Sequence, residues 1–168
     1  MPTVLNQFPA PLGALLALHC QKLAPGVPLP TPIPTQGFRR SWLIEDPISP
    51  QLIEALLAGP TTSVAETQNT RLALPPGRLQ LLCAPDAGDA ALRIPAAVTL
   101  HAARLQAGAD LAHALEPRRV AWAQTLQGHL FVCGAELRAG QGCLLRDESV
   151  LAVYAQNDSL LLLAELPV

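Results

Sequence analysis

Lysine is nearly missing from this chain: Lys22 is the only one, and arginine supplies the rest of 11 basic residues set against 13 acidic ones. With a formal charge of −2 no broad positive field exists to hold a phosphate backbone, which argues against a general nucleic-acid binder. Aromatic residues make up 4% and charged residues 14%, so a core has to be built from Leu, Val, Ile and Ala. Long hydrophobic runs are missing too. "LGALLALHC" and "SLLLLAELPV" both stop far short of the roughly 20 residues a membrane helix needs. The apolar start of "MPTVLNQFPAPLGALLAL" has no basic residue before it and no small-x-small cleavage site after it, so a secretory signal is not expected and the expected location is the cytoplasm. Cys20, Cys83, Cys133 and Cys143 are separated by 62, 49 and 9 residues, which suits neither a zinc ribbon nor a redox Cys-x-x-Cys pair. They are expected as small buried hydrophobes. No Gly-x-Ser-x-Gly elbow is present, and the "GQGCLL" turn lacks the third glycine of a dinucleotide site.

Proline, by contrast, is plentiful and unevenly placed. Of 17 prolines, 11 lie in residues 1–60, and "PGVPLPTPIPTQG" at 25–37 alternates proline with other residues, which forbids helix and favours an extended strap. On either side two helices are predicted. In "SPQLIEALLAGP" Ser49 can cap, Pro50 suits the first helical position and Gly59 with Pro60 can close the end. In "PLGALLALHCQKLAPG" Leu12, Leu15, Leu16, His19 and Leu23 share a helical face, although the same run could pair as a strand.

Beyond about residue 72 the texture becomes β. Short runs such as "RLQLLCA", "AVTLHAARL", "RVAWAQTLQ", "HLFVC", "SVLAVYAQ" and "SLLLLAEL" are parted by turn clusters at 106–110, 127–128, 139–142 and 156–158. Such spacing predicts a sandwich or barrel. In "RVAWAQTLQG" Val120, Trp122, Gln124 and Leu126 alternate with the smaller Ala121, Ala123 and Thr125.

The segments "HAARLQAG", "HALEPRRVAWAQTLQG", "RDES" and "LLLAELP" resemble the C-terminal barrel of pirin-like proteins, the bicupin group that includes bacterial quercetin 2,3-dioxygenases. The resemblance covers about residues 77–168. It implies an all-β, cupin-type double-stranded β-helix barrel at 77–168, preceded by residues 1–76 as a proline-rich, partly helical segment or eroded first barrel. Gly108 and Gly128 bracket the first cupin motif, while Gly134, Gly140 and Gly142 occupy the second, with Gly140 in place of its proline. In that register the metal-ligand positions hold Ala114, Glu116, Ala121 and Leu145. One carboxylate cannot hold iron, nickel or manganese, which need three or four converging ligands. The barrel is therefore expected without a metal or other cofactor. In the family the metal sits in the first barrel, on a His-x-His stretch with a further histidine and a glutamate; here residues 1–76 offer His19 alone, with Glu45, Glu54 and Glu66.

No catalytic residue is assigned. His113, Glu116, Trp122 and Gln124 are taken as a ligand pocket at and inside the barrel mouth, and Arg39, Arg40 and Trp42 of "FRRSW" as a recognition patch for a carboxylate, a base or a partner surface. His101 and His129 read as exposed or hydrogen-bonded strand residues. Two functions follow: a metal-free binding or regulatory module for a small apolar ligand or a protein partner, or a pirin-like dioxygenase whose ligands come from outside the motif, from His19, His101 or His113, or from another subunit. A second copy covering the sheet edges would give a homodimer.

Overall fold

The computed structural model describes residues 2–9, 11–24, 38–46, 50–58, 68–86, 88, 92–94 and 97–167. Fifteen strands follow one another in these residues: β1 (Thr3–Leu5), β2 (Leu15–Lys22), β3 (Phe38–Ile44), β4 (Gln51–Leu57), β5 (Gln68–Leu72), β6 (Leu79–Ala84), β7 (Leu92–Arg93), β8 (Thr99–Leu105), β9 (Asp110–Ala114), β10 (Arg119–Gln127), β11 (His129–Val132), β12 (Ala135–Arg138), β13 (Gly142–Leu145), β14 (Val150–Ala155) and β15 (Ser159–Pro167). The chain divides into two compact units, one of Met1–Pro9 with Leu74–Val168 and one of Ala10–Ala73. Among the described residues no helix is long and apolar enough to cross a membrane.

The larger unit is the expected all-β, cupin-type barrel. Its seven-stranded sheet runs β1-β13-β10-β15-β8-β6-β7, and a four-stranded sheet runs β12-β11-β14-β9. Directly paired residues share a face, so the register decides what lies inside. Leu145 pairs with Ala121, Ala121 with Glu165, and Glu165 with Thr99. One step along, Cys143 pairs with Ala123, Ala123 with Leu163, and Leu163 with His101. From the other sheet come Leu130, Val132, Leu137, Leu151, Val153 and Ala155, all buried against Ala103, Leu105, Leu161 and Leu163. Away from His101 and Glu165, the interior is hydrocarbon packed against hydrocarbon. The opposite face of β15 is buried as well, through Leu160, Leu162, Ala164 and Leu166. Both faces being dry explains why this strand reads as one continuous apolar run rather than an alternation.

Trp122 belongs to that second face. Its indole is fully buried, donates from Nε1 to Gln124 Oε1 at 3.2 Å, and meets Phe8 edge-to-face with ring centres 5.7 Å apart. A Cβ added at Gly142 would run into the Trp122 ring. That glycine is present because the indole lies over it. Gly128 answers a different demand: its φ is +85° and a Cβ there would meet Ser159, Asp158 and Asn157, so only glycine fits this turn.

The smaller unit corrects the two helix expectations. Its sheet runs β2-β4-β3-β5, with "LLALHCQK" as strand β2 and "QLIEALL" as strand β4. β4 is flanked on both sides by antiparallel partners, β3 in unbroken register and β2 with one shift between Leu15 and Ala17, and nearly all of it is buried. A ladder on each edge plus burial on each face outweighs a cap, which is worth only about 1 kcal/mol. The proline-rich strap predicted at 25–37 lies outside the described residues, as do Ser49, Gly59 and Pro60.

Candidate metal centre

Three titratable side chains meet inside one end of the barrel. His101 sits on β8, where the residues at 101, 103 and 105 face inward, Ala103 and Leu105 being part of the interior cluster. Glu165 sits on β15 and pairs across to Ala121 and Thr99. His113 arrives from the facing sheet on β9, opposite the fully buried Leu151 of β14. Their ligand atoms all lie within 4.8 Å of one another. His113 Nε2 is 3.1 Å from Glu165 Oε1, and His101 Nδ1 is 3.7 Å from the same oxygen. The two imidazole rings are 5.2 Å apart and tilted by 58°.

The carboxylate is the most enclosed member, its side chain 5% exposed against 13% for His101 and 29% for His113. His113 can donate to it, given the tautomer with the proton on Nε2. His101 Nδ1 is buried with no hydrogen-bond partner. Burial, and then the neighbouring His113, push the His101 imidazole down to about 4, so near neutral pH it is an uncharged base with a lone pair to share. Two imidazole nitrogens and one carboxylate oxygen form a donor set suited to a divalent first-row transition metal.

The sequence points to His113 as a pocket residue and to His101 and His113 as ligands from outside the motif in the dioxygenase alternative, but not to Glu165, and the reason is geometrical. Counting from Gly108 puts the first motif position at Ala114, but β9 alternates so that Leu111 and His113 pair with the buried Val153 and Leu151, leaving Ala114 exposed. His113 therefore takes the inward place, followed by Leu115, with Ala121 and Leu145 also inside. Three of those four inward places hold hydrocarbon. The expectation of a metal-free barrel rested on the motif positions alone, whereas His101 and Glu165 lie outside them. His101, read as exposed or hydrogen-bonded, is instead largely enclosed, and its Nδ1 has no hydrogen-bond partner. Glu165 belongs to no motif, yet a single acid inside "LLLLAELP" is itself a signal, since a charge in a buried run needs a partner.

The expected pocket of His113, Glu116, Trp122 and Gln124 is not one place. Glu116 lies in the loop after β9, 68% exposed and 2.7 Å from Arg119; it helps line a cleft of about 270 Å³ with Arg118, Arg119, Arg146, Asp147 and Glu148. Trp122 and Gln124 face away from the interior because period two puts them opposite Ala121 and Ala123. The "FRRSW" patch is likewise divided. Trp42 and Arg40 are buried, and Arg39 pairs with Glu54 at 3.8 Å. Trp42 lies on β3, the strand between β4 and β5, and is buried there. His19 is exposed on β2, and its neighbour Cys20 has its thiol pushed up to about 12 by burial and then by Glu54.

Comparison with known proteins agrees with this fold. Residues 81–166 match the family model described as the quercetinase C-terminal cupin domain. Quercetin 2,3-dioxygenase from Escherichia coli (strain K12) is 28% identical over 88 residues, which is 52% of this chain and 38% of that protein. The chain thus spans well under half the length of the curated relatives it matches. Among solved structures, the Escherichia coli protein YhaK superposes over all of this chain and 94% of its own, at a TM-score of 0.67 and 20% identity. The bacterial pirin YhhW of Escherichia coli, solved in complex with nickel(II), covers 92% of this chain and 83% of its own, at a TM-score of 0.65 and 17% identity. Identities this low show a common fold.

Proposed function

The chain belongs to the pirin-like group through its quercetinase C-terminal cupin domain, and from that premise we propose that it is a cytoplasmic, non-catalytic binding or regulatory module. The observation that carries this reading is the filled barrel. The inward places expected to form an oxygen-activating cage hold Leu115, Ala121 and Leu145 beside His113, and the space they face is occupied by Leu130, Leu151, Leu161 and Leu163. A flavonol inside would have to displace several side chains that are buried in mutual contact. Recognition then falls to the surface, where the cleft beside Glu116 and Arg119 accepts a small ligand or a partner's side chain. A homodimer is the assembly proposed for the chain.

The competing reading, a dioxygenase with ligands outside the motif, has one observation in its favour: His101, His113 and Glu165 converge, and two histidines with one carboxylate leave coordination positions open. Oxygen uptake decides between them. The purified full chain is loaded in turn with iron(II), nickel(II) or manganese(II) and given quercetin in air, with dioxygen consumption and loss of the flavonol absorbance followed together. Neither should exceed the rate of metal and flavonol without protein. Repeated turnover with any of the three metals would overturn the non-catalytic reading.

A further inference from the structure

We propose that the barrel binds one divalent transition-metal ion on His101, His113 and Glu165, joining β8 and β15 of one sheet to β9 of the other. This goes beyond the non-catalytic reading and stands apart from it, since a metal can fasten two sheets without turning over any substrate.

The distances suit an ion. Adjacent ligand atoms at about 2.0–2.2 Å from zinc or a similar metal lie about 2.8–3.6 Å from one another across octahedral and tetrahedral geometry. The two contacts to Glu165 Oε1, 3.1 and 3.7 Å, fall at or close to that range, and the whole set fits within 4.8 Å. The His101 contact is also informative for what it is not. At 3.7 Å it is too long for a hydrogen bond, yet Nδ1 is buried with no partner. In the tautomer with its proton on Nε2, Nδ1 turns a lone pair toward the carboxylate across this gap, and a cation placed between them satisfies both. The carboxylate has the same need, because its contacts are the two imidazoles and a buried anion requires a paired charge. Nitrogen donors disfavour calcium and magnesium, which prefer oxygen, and favour zinc, nickel, iron or manganese. Strand pairing holds all three residues, His101 and Glu165 on the β8–β15 ladder and His113 on the β9–β14 ladder, so the donors are brought together by the fold before any ion arrives.

The test uses the full untagged chain stripped with a chelator. Equilibrium dialysis against zinc(II), nickel(II) or manganese(II), followed by elemental analysis, should give one ion per chain, and saturation should raise the melting temperature. Cobalt(II) should give visible ligand-field bands on binding. Glu165→Gln and His113→Gln should each weaken binding by about tenfold or more and lose the cobalt bands, while His129→Gln should leave both unchanged. If Glu165→Gln does not fold, the partly exposed His113→Gln carries the comparison. No stoichiometric ion on the parent chain, binding unaltered in His113→Gln, or binding that depends on His129, would overturn the proposal.

Discussion

Adding one methyl group at Gly142 should destabilise this protein, and the size of the effect follows from what surrounds that position. Gly142 pairs with Gln124 on β10 and with Leu5 on β1, so it is held from both sides and cannot swing away. A Cβ there would meet three atoms of the Trp122 ring. That ring is fully buried, meets Phe8 edge-to-face and is held at its nitrogen by Gln124. Overpacking of this kind costs about 1–3 kcal/mol. If the indole is expelled instead, the aromatic edge contact is lost, about 0.5–1.5 kcal/mol, along with burial worth about 1.5–3 kcal/mol. Against these stands the gain from replacing glycine within a regular element, roughly 0.5–1 kcal/mol as estimated for Gly versus Ala. The net for Gly142→Ala is a loss of up to about 2.5 kcal/mol if the ring stays in place and about 1–4 kcal/mol if it is expelled, or a melting temperature lower by up to about 16 °C for a chain of this size. Circular dichroism melts measure it, and tryptophan emission should shift to the red as Trp122 moves. The variant Trp122→Phe removes the atoms that clash, so Gly142→Ala should cost less in that background, with a coupling of about 0.5–3 kcal/mol. A Gly142→Ala protein that melts at or above the parent temperature, with unchanged emission, would refute the close approach.

Two further outcomes follow from the same structure. The Glu116–Arg119 pair is short at 2.7 Å but its carboxylate is 68% exposed, so Glu116→Gln should change stability by less than about 1 kcal/mol in denaturant titrations, and a larger loss would mean that the loop is more enclosed. Burial, and then Cys133, raise the Cys143 thiol to about 12, which keeps it protonated and unreactive at pH 8; alkylation of the native chain followed by peptide mass analysis should label the half-buried Cys133 first, and Cys143 only after unfolding.

The strands of the barrel were legible because their residues alternate against recognisable turns, and "RVAWAQTLQ" and "SVLAVYAQ" appear as β10 and β14. The small sheet was not. "SPQLIEALLAGP" carries helix-end residues around an apolar run whose spacing suits either period, and only non-local pairing with β2 and β3 resolves it. The site was half legible for a related reason. Inward and outward positions on β8 are equally apolar, Leu100 and Ala102 being as fully buried as Ala103 and Leu105, so no pattern told which face His101 occupies. A spacing motif, likewise, fixes a residue's place along the chain but not the parity of the strand, and a shift of one residue exchanged Ala114 for His113.

By itself the sequence determined the family, the all-β barrel, the hydrocarbon at Ala121 and Leu145, and the want of a lysine-rich or helix-spanning surface, since these depend on composition, period two and local turns. The tertiary structure alone decided that His101, His113 and Glu165 meet. They come from three strands of two sheets, separated by 11 and 51 residues along the chain, and only ladder register and sheet packing bring such distant side chains within ligand distance of a common point.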